Sequence, residues 1–228
     1  MKIDWERIPT INARRVCLRP FTETDRNSVY AVYSDPEVMR YWGSLPMKQP
    51  QDAVDFLADV LQDLQRHQCL QWGIARRSDN QLIGTLAIFR LDSFAGKAEL
   101  GFALGRAYWG VGYMRETLQA ALGYLFNELD LRRIEADVDP RNLACIRLLE
   151  RLGFQKEGYL RERWHVLGET QDSLFYGLLR REWNSSGAAY EVITPATLQD
   201  RRKTSFKAWV ARTRLRRWAA MLLGMVAQ

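Results

Sequence analysis

Glu99-Leu100-Gly101-Phe102-Ala103-Leu104 is followed by a short turn and then by Trp109-Gly110-Val111-Gly112-Tyr113-Met114-Arg115-Glu116. The first segment alternates as a half-buried strand does. The second opens a helix whose apolar residues Leu118, Ala121, Leu122, Leu125, Phe126 and Leu129 recur at three- and four-residue spacing. A strand that passes through a glycine-bearing turn straight into a helix leaves the first helical N–H groups unpaired. It also turns the positive end of the helix dipole outward, and the two together make an anion cradle. Gly110 and Gly112 lack a Cβ, so the backbone there can approach a phosphate closely and take dihedrals that other residues resist. Two other phosphate loops are excluded: the Walker pattern needs Gly-Lys-Ser/Thr, and the dinucleotide fingerprint needs a third glycine where Arg115 stands. Taken alone, a Gly-x-Gly turn is also an ordinary strand-to-helix connection, so the surrounding residues decide.

Outward from this stretch, Arg133 to Val138 alternates as a strand, and Cys145 to Phe154 reads as a helix with Asn142 as N-cap and Gly153 as C-terminal cap. Upstream, the pattern predicts a strand near 14–20, a helix opened by Thr22 or Thr24, and a helix near 51–66 carrying Val54, Leu57, Leu61 and Leu64. Strands are predicted near 70–76, 82–91 and 97–104, and the last two near 154–161 and 172–179. The expectation is a mixed α/β domain with helices interspersed among strands.

Glu-Leu-Gly-Phe at 99–102, Trp-Gly-Val-Gly-Tyr-Met-Arg-Glu at 109–116, Asn142-x-x-Cys145-Ile-Arg-Leu-Leu-Glu-Arg-Leu-Gly-Phe154 and Glu157-Gly158 together resemble the GNAT superfamily of acetyl-CoA-dependent N-acetyltransferases. Within it they are most similar to the RimJ/RimL branch, which acetylates protein N-terminal amines. The likeness extends from Val16-Cys17-Leu18-Arg19-Pro20-Phe21 with Asp25, through Asp35-Pro36-Glu37-Val38, to Leu178–Trp183. It implies a mostly antiparallel twisted sheet flanked by helices over residues 1–183. Two residues depart from the family pattern: Met114 stands where a small residue is frequent, and Cys145 where serine is.

The resemblance implies direct acyl transfer from a thioester to an amine in one ternary complex, with acetyl-CoA as co-substrate and no metal. It assigns the pyrophosphate to the backbone N–H groups of Val111, Gly112, Tyr113 and Met114, with Gly110 and Arg115 beside them. The pantetheine arm would lie along the backbone of Phe102, Ala103 and Leu104 like an added strand, and Asn142 occupies a position whose side chain touches the cofactor. Glu99 is the candidate general base, directly or through a water, since alternation sets it opposite the Leu100/Phe102/Leu104 face. The alternative for Glu99 is a strand carboxylate paired with a nearby arginine. Cys145 sits where the family uses a hydroxyl near the departing thiolate and could return a proton to that sulfur; otherwise it is a small buried residue beside Ile146 and Leu149. His165 is the one histidine that folding could bring near Cys145.

The 228 residues, 47% of them hydrophobic, suffice for one substantial core. Cys17, Cys69 and Cys145 form no pairing pattern, which fits a reducing cytoplasm. No apolar run is long enough to span a bilayer, and the first residues lack a signal peptide's apolar core. His67-x-Cys69 reads as a surface helix end and not as a ligand pair. Residues 1–183 hold 25 basic and 25 acidic side chains, so the formal +6 lies in residues 184–228, with 8 basic and 2 acidic. This segment reads as a basic, helical C-terminal extension that docks on its own domain or on a second copy in a homodimer, or else meets the ribosome or a membrane surface.

The resemblance makes a protein N-terminal amine, the alanine or serine of a ribosomal protein, the leading acceptor; the alternative is a small amine such as an aminoglycoside, polyamine or amino-acid derivative. A non-catalytic CoA-sensing module is the reading outside enzymes. Tyr41-Trp42-Gly43, Trp72 and Arg161-Glu162-Arg163-Trp164 are candidate acceptor-site residues, and Asp52, Asp55, Asp59 and Asp63 share one helix face that is either solvated or lines an acidic cleft.

Overall fold

The computed structural model describes residues 3–166, 168–183 and 189–194. Its centre is a sheet of nine strands: β1 (Thr10–Asn12), β2 (Val16–Arg19), β3 (Cys69–Arg76), β4 (Leu82–Asp92), β5 (Lys97–Leu104), β6 (Arg133–Val138), β7 (Gln155–Val166), β8 (Glu169–Leu179) and β9 (Glu191–Ile193). They lie in the order β7-β8-β6-β5-β4-β3-β2-β1-β9, and every neighbouring pair is antiparallel except β5 with β6. Among the described residues five α-helices flank it: α1 (Arg26–Tyr33), α2 (Pro36–Met39), α3 (Pro50–Gln65), α4 (Tyr113–Gly123) and α5 (Leu143–Arg151).

Alternation along the strands divides the sheet into two faces. Leu70, Trp72, Ile74, Leu86, Ile88 and Leu100 point into the larger core, which Leu118, Leu122 and Leu125 from the α4 region and Leu149 from α5 complete. Leu118, Leu122 and Phe126 are fully buried, each contributing about 1.5–3 kcal/mol of transfer free energy. This burial fixes α4, and therefore the turn before it, against the sheet. Trp72 belongs to this core: it packs edge-on against Tyr124, and its indole N–H donates to the Pro9 carbonyl at 2.8 Å. It is therefore no acceptor-site residue, because the alternation that aligns it with Leu70 and Ile74 turns it away from the opposite face.

That opposite face carries α1, α2 and α3 over a second core of Val29, Val32, Tyr33, Phe56 and Leu57. Entry into α1 is fixed by a two-pronged pair from Arg19 to the buried Asp25, at 2.8 and 2.9 Å, while Asp25 also accepts the Thr22 N–H. α3 keeps the expected span, and its first turn is closed by Asp52, which accepts the Lys48 and Gln49 N–H groups. His67, in the left-handed region at φ 60°, ends the segment after α3 and stacks on Trp5, while Cys69 is buried on β3.

Three short elements, β1, α2 and β9, were not marked by the sequence pattern. β9 lies beyond the expected boundary at 183/184, pairs with β1, and brings Tyr190 and Val192 against the larger core. The remainder of the expected C-terminal helix, from residue 195 onward, lies outside the described residues.

Candidate active site

The parallel β5/β6 pair is short. Lys97, Ala98 and Glu99 face Arg133, Ile134 and Glu135, and beyond that point β5 continues to Leu104 and β6 to Val138 without pairing with each other. The strands part at Glu99, and one backbone edge of β5 from Leu100 onward faces the gap. Trp109 closes the far end by donating its indole N–H to the Leu104 carbonyl at 2.6 Å. The free edge therefore runs along Leu100–Ala103, so Phe102 and Ala103 of the expected strand-like contact stay open while the Leu104 carbonyl is taken.

A cavity of about 190 Å³ fills the gap. Asn142, Cys145, Val138 and Phe102 line it from the α4/α5 side, and Tyr33, Trp42, Phe56, Asp59, Asp63 and Gln71 from the α1/α3 side. The opening thus passes through the sheet, which it can do because the strand positions beneath α3 are small: Ala87 and Gly101 line it, and a Cβ added to Gly101 would stand 3.2 Å from the Phe89 ring.

Glu99 sits at the point of divergence, 2% exposed, on the α3-facing side. Its carboxylate accepts from Arg90 at 2.6 Å. Arg90 reaches it because β4 shifts register between Phe89 and Asp92 and Arg90 takes a left-handed φ of 50°; such bulges re-aim a side chain. Burial raises the Glu99 carboxyl above its ordinary value, Asp137 and Glu135 push the same way, and Arg90 pulls it down. The arginine partner is thus present, and the carboxylate also lines the cavity.

At the turn into α4, Gly110 and Gly112 take φ of 76° and 85°, and Gly112 is the N-cap. Among the described residues, the backbone N–H groups of Gly110, Val111, Gly112, Tyr113, Met114 and Arg115 have no acceptor. Val111 is 54% exposed, whereas the Met114 side chain is buried in the larger core, so the side chain that departs from the family pattern points away from the cradle. Arg15 braces the turn from outside: its guanidinium donates to the Val111 carbonyl at 3.0 Å and to Glu116 at 2.7 Å and lies over the Tyr113 ring. Sequence patterning missed both Arg15 and Arg90, because neither is placed by local spacing; one is set by a hairpin and the other by a bulge.

Asn142 caps α5 by accepting the Cys145 N–H at 3.1 Å. Burial alone pushes the Cys145 thiol up to about 12. His165 lies on the β7/β8 ribbon with its Nδ1 3.2 Å from the Thr170 hydroxyl, and nothing joins it to Cys145. Of the candidate acceptor residues, Tyr41, Trp42 and Gly43 line the cavity. Arg163 and Trp164 reach it only through Asp137, at 3.7 and 3.3 Å.

The motif resemblance implied an anion cradle and a strand-like contact along β5, and the cavity that crosses the sheet is added by the structure; comparison with known proteins bears on the family. Residues 15–155 match the acetyltransferase (GNAT) domain. The chain belongs to the GNAT acetyltransferase family. It is 35% identical over 175 residues to the N-acetyltransferase p20 of Bacillus licheniformis, spanning 76% of this chain and 98% of that one. It is 26% identical over 163 residues to spermidine N(1)-acetyltransferase of Escherichia coli K12, spanning 72% of this chain and 85% of that one. The structure of a GNAT acetyltransferase from Bacillus anthracis superposes with a TM-score of 0.69 at 26% identity, covering 76% of this chain and 99% of the other. The GNAT enzyme is an N-acetyltransferase with acetyl-CoA as co-substrate. No helix among the described residues is long and apolar enough to cross a membrane.

Proposed function

We propose that this enzyme transfers the acetyl group of acetyl-CoA to the primary amine of a small cationic acceptor, by direct attack in a ternary complex within a reducing cytoplasm. The observation that carries this reading is the cavity that crosses the sheet. Its α4/α5 side adjoins the cradle helix and the free β5 edge, and its α1/α3 side is walled by aromatic rings and by the carboxylates Asp59 and Asp63. Donor and acceptor thereby enter from opposite faces and meet beside Glu99.

In this mechanism the pyrophosphate is held by the N–H groups of residues 110–115, and the pantetheine arm lies along Leu100–Ala103, with Asn142 beside it. A β5 N–H in the gap faces the acetyl oxygen as charge develops there. Glu99, ionised with Arg90 at its side, takes the proton from the amine directly or through a water. A Cys145 thiol held near 12 is a poor donor to an ordinary thiolate with pKa of ~8.5, so Cys145 serves here as a small wall residue and the leaving sulfur is protonated from solvent.

The RimJ/RimL-like motifs favour a second reading, in which the acceptor is a protein N-terminal α-amine. With pKa of ~8, such an amine needs less help from a base than a side-chain amine near ~10.4. Free-thiol release from acetyl-CoA, followed over a panel of alkylamines and of Ala- and Ser-initiated peptides, tests both. Turnover confined to small amines is expected; turnover of peptides alone overturns the small-acceptor reading.

A further inference from the structure

Asp59 and Asp63 lie one turn apart on the inner face of α3, and both line the cavity. Asp63 is 3% exposed, and its Oδ1 has no hydrogen-bond donor among the described residues. Gln71 of β3 lines the same cavity, is also 3% exposed, and its Oε1 likewise lacks a donor among the described residues. Register fixes this placement: Gln71, Ala87 and Gly101 are direct neighbours across three strands, and the last two lack side chains that would cover it. Two nearly buried acceptor oxygens, one from a helix and one from a strand, thus line one space. A buried acceptor without a donor costs free energy, and nearly every such group in a folded protein meets a partner.

The groups around this end of the cavity define the partner. It must donate hydrogen bonds, and with Asp63 and Asp59 facing it a positive charge is favoured. Arg66, exposed at the end of α3, is the positive side chain that acts on Asp63 among the described residues. The adjoining wall is aromatic: Tyr33 packs against Trp42 at 5.6 Å and against Phe56 at 5.0 Å, surfaces that favour an alkylammonium. The Tyr33 hydroxyl is already engaged with Thr85 at 2.6 Å, so it makes no competing claim on the ligand. Glu99, where the reacting amine is placed, belongs to a different part of the same cavity.

Resting on the reading that the acceptor amine reacts beside Glu99, we infer that Asp63 and Gln71, with Asp59 beside them, form a second subsite that holds a distal ammonium of the acceptor, which makes the substrate class an aliphatic diamine or oligoamine. The proximal nitrogen loses its proton and is acetylated, whereas the distal one stays charged and sets how far the chain extends. Selectivity then follows chain length, because the two acidic ends are held at one separation by α3 and β5.

The test uses α,ω-diamines of three to seven carbons with the monoamine of each length, full-length protein and acetyl-CoA, and reads kcat/KM by thiol release. Diamines are expected to exceed their monoamines at least ten-fold, with an optimum at one length. Asp63→Asn and Gln71→Leu are each expected to bring that ratio toward one, chiefly through KM for the diamine. A variant damaged in folding lowers both rates together and leaves the ratio intact. Equal use of diamines and monoamines by the unaltered protein, or a ratio unmoved by both substitutions, overturns the subsite and leaves bound water as the partner of these oxygens. Calorimetric titration of the optimal diamine into CoA-loaded protein separates the two readings. Diamine binding that Asp63→Asn abolishes, without any thiol release, retains the subsite and rejects the transfer reading; absence of diamine binding rejects the subsite.

Discussion

Glu99 and Asp63 are both carboxylates in one cavity, yet their surroundings differ. Glu99 has Arg90 at 2.6 Å, so it can stay ionised although burial raises it. Glu99→Gln is expected to lower kcat roughly 100-fold while the affinity for CoA, read by calorimetry, stays near its original value; an unchanged kcat on the best acceptor would reject the base. Arg90→Met supplies the complementary test. Without the guanidinium the neutral form of Glu99 gains, its pKa rises further, and the acid limb of kcat/KM moves to higher pH. Asp63 lacks such a partner, and burial raises its carboxyl. A carboxyl raised in the folded state favours folding below its unfolded pKa and loses that contribution as pH rises through the folded value. Asp63→Asn removes the penalty, so its melting temperature should exceed that of the parent at pH 8 and converge with it near pH 4, each kcal/mol recovered appearing as about 2–4 °C. The face that Glu99 occupies was legible in the sequence from alternation, but Arg90 was not, because a bulge sets it. The four aspartates of α3 show how far spacing goes. All share a face, yet Asp52 caps the helix, Asp55 accepts from Gln51, and only Asp59 and Asp63 turn out to line a cavity.

At the scale of elements, the turn and α4 act as one unit, since the helix that leaves its N–H groups unpaired is anchored by the apolar stripe on its buried side. Gly112 sits at φ 85° with its open side 3.4 Å from the Arg15 guanidinium. Gly112→Asp and Gly112→Asn make a matched pair, because both residues tolerate the left-handed region and they differ in charge but scarcely in shape. Each should lose about 1 kcal/mol of stability from the added Cβ, measurable by urea unfolding. The aspartate variant is expected to bind CoA at least ten-fold more weakly than the asparagine variant, and equal affinities would move the pyrophosphate elsewhere. Long elements such as α3, α4 and β5 were legible because several periods of the hydrophobic pattern fit inside them. β1, α2 and β9 were not, since three or four residues carry too little pattern to separate them from loop. The divergence of β5 from β6 left no mark either: both strands alternate through the point where pairing ends, and only register reveals the gap.

Over the whole molecule, the cradle end of α4 and its opposite end are held by parts of the chain that are far apart in sequence. Arg15 and Glu116 secure the first turn, whereas Tyr190, just before β9, covers Gly123 at the other end and accepts from Asn127 at 3.0 Å through its hydroxyl. A Cβ built on Gly123 would lie 2.2 Å from the Tyr190 ring, which accounts for a glycine where α4 passes into the wider π-helical turn of Tyr124–Glu128. Exposed to solvent, Gly→Ala in a helix gains about 1 kcal/mol, but here the methyl must displace an aromatic ring. Gly123→Ala is therefore expected to destabilise, and Tyr190→Ala to cost about 2 kcal/mol through the lost ring contacts. In the double variant the clash is gone while the helix gain remains, so Gly123→Ala should become stabilising once Tyr190 is alanine. That reversal of sign in a double-mutant cycle, measured by denaturant unfolding, distinguishes a β9 segment that clamps the cradle helix from one that merely lies along β1: additive effects would mean that the ring and the helix are not in contact.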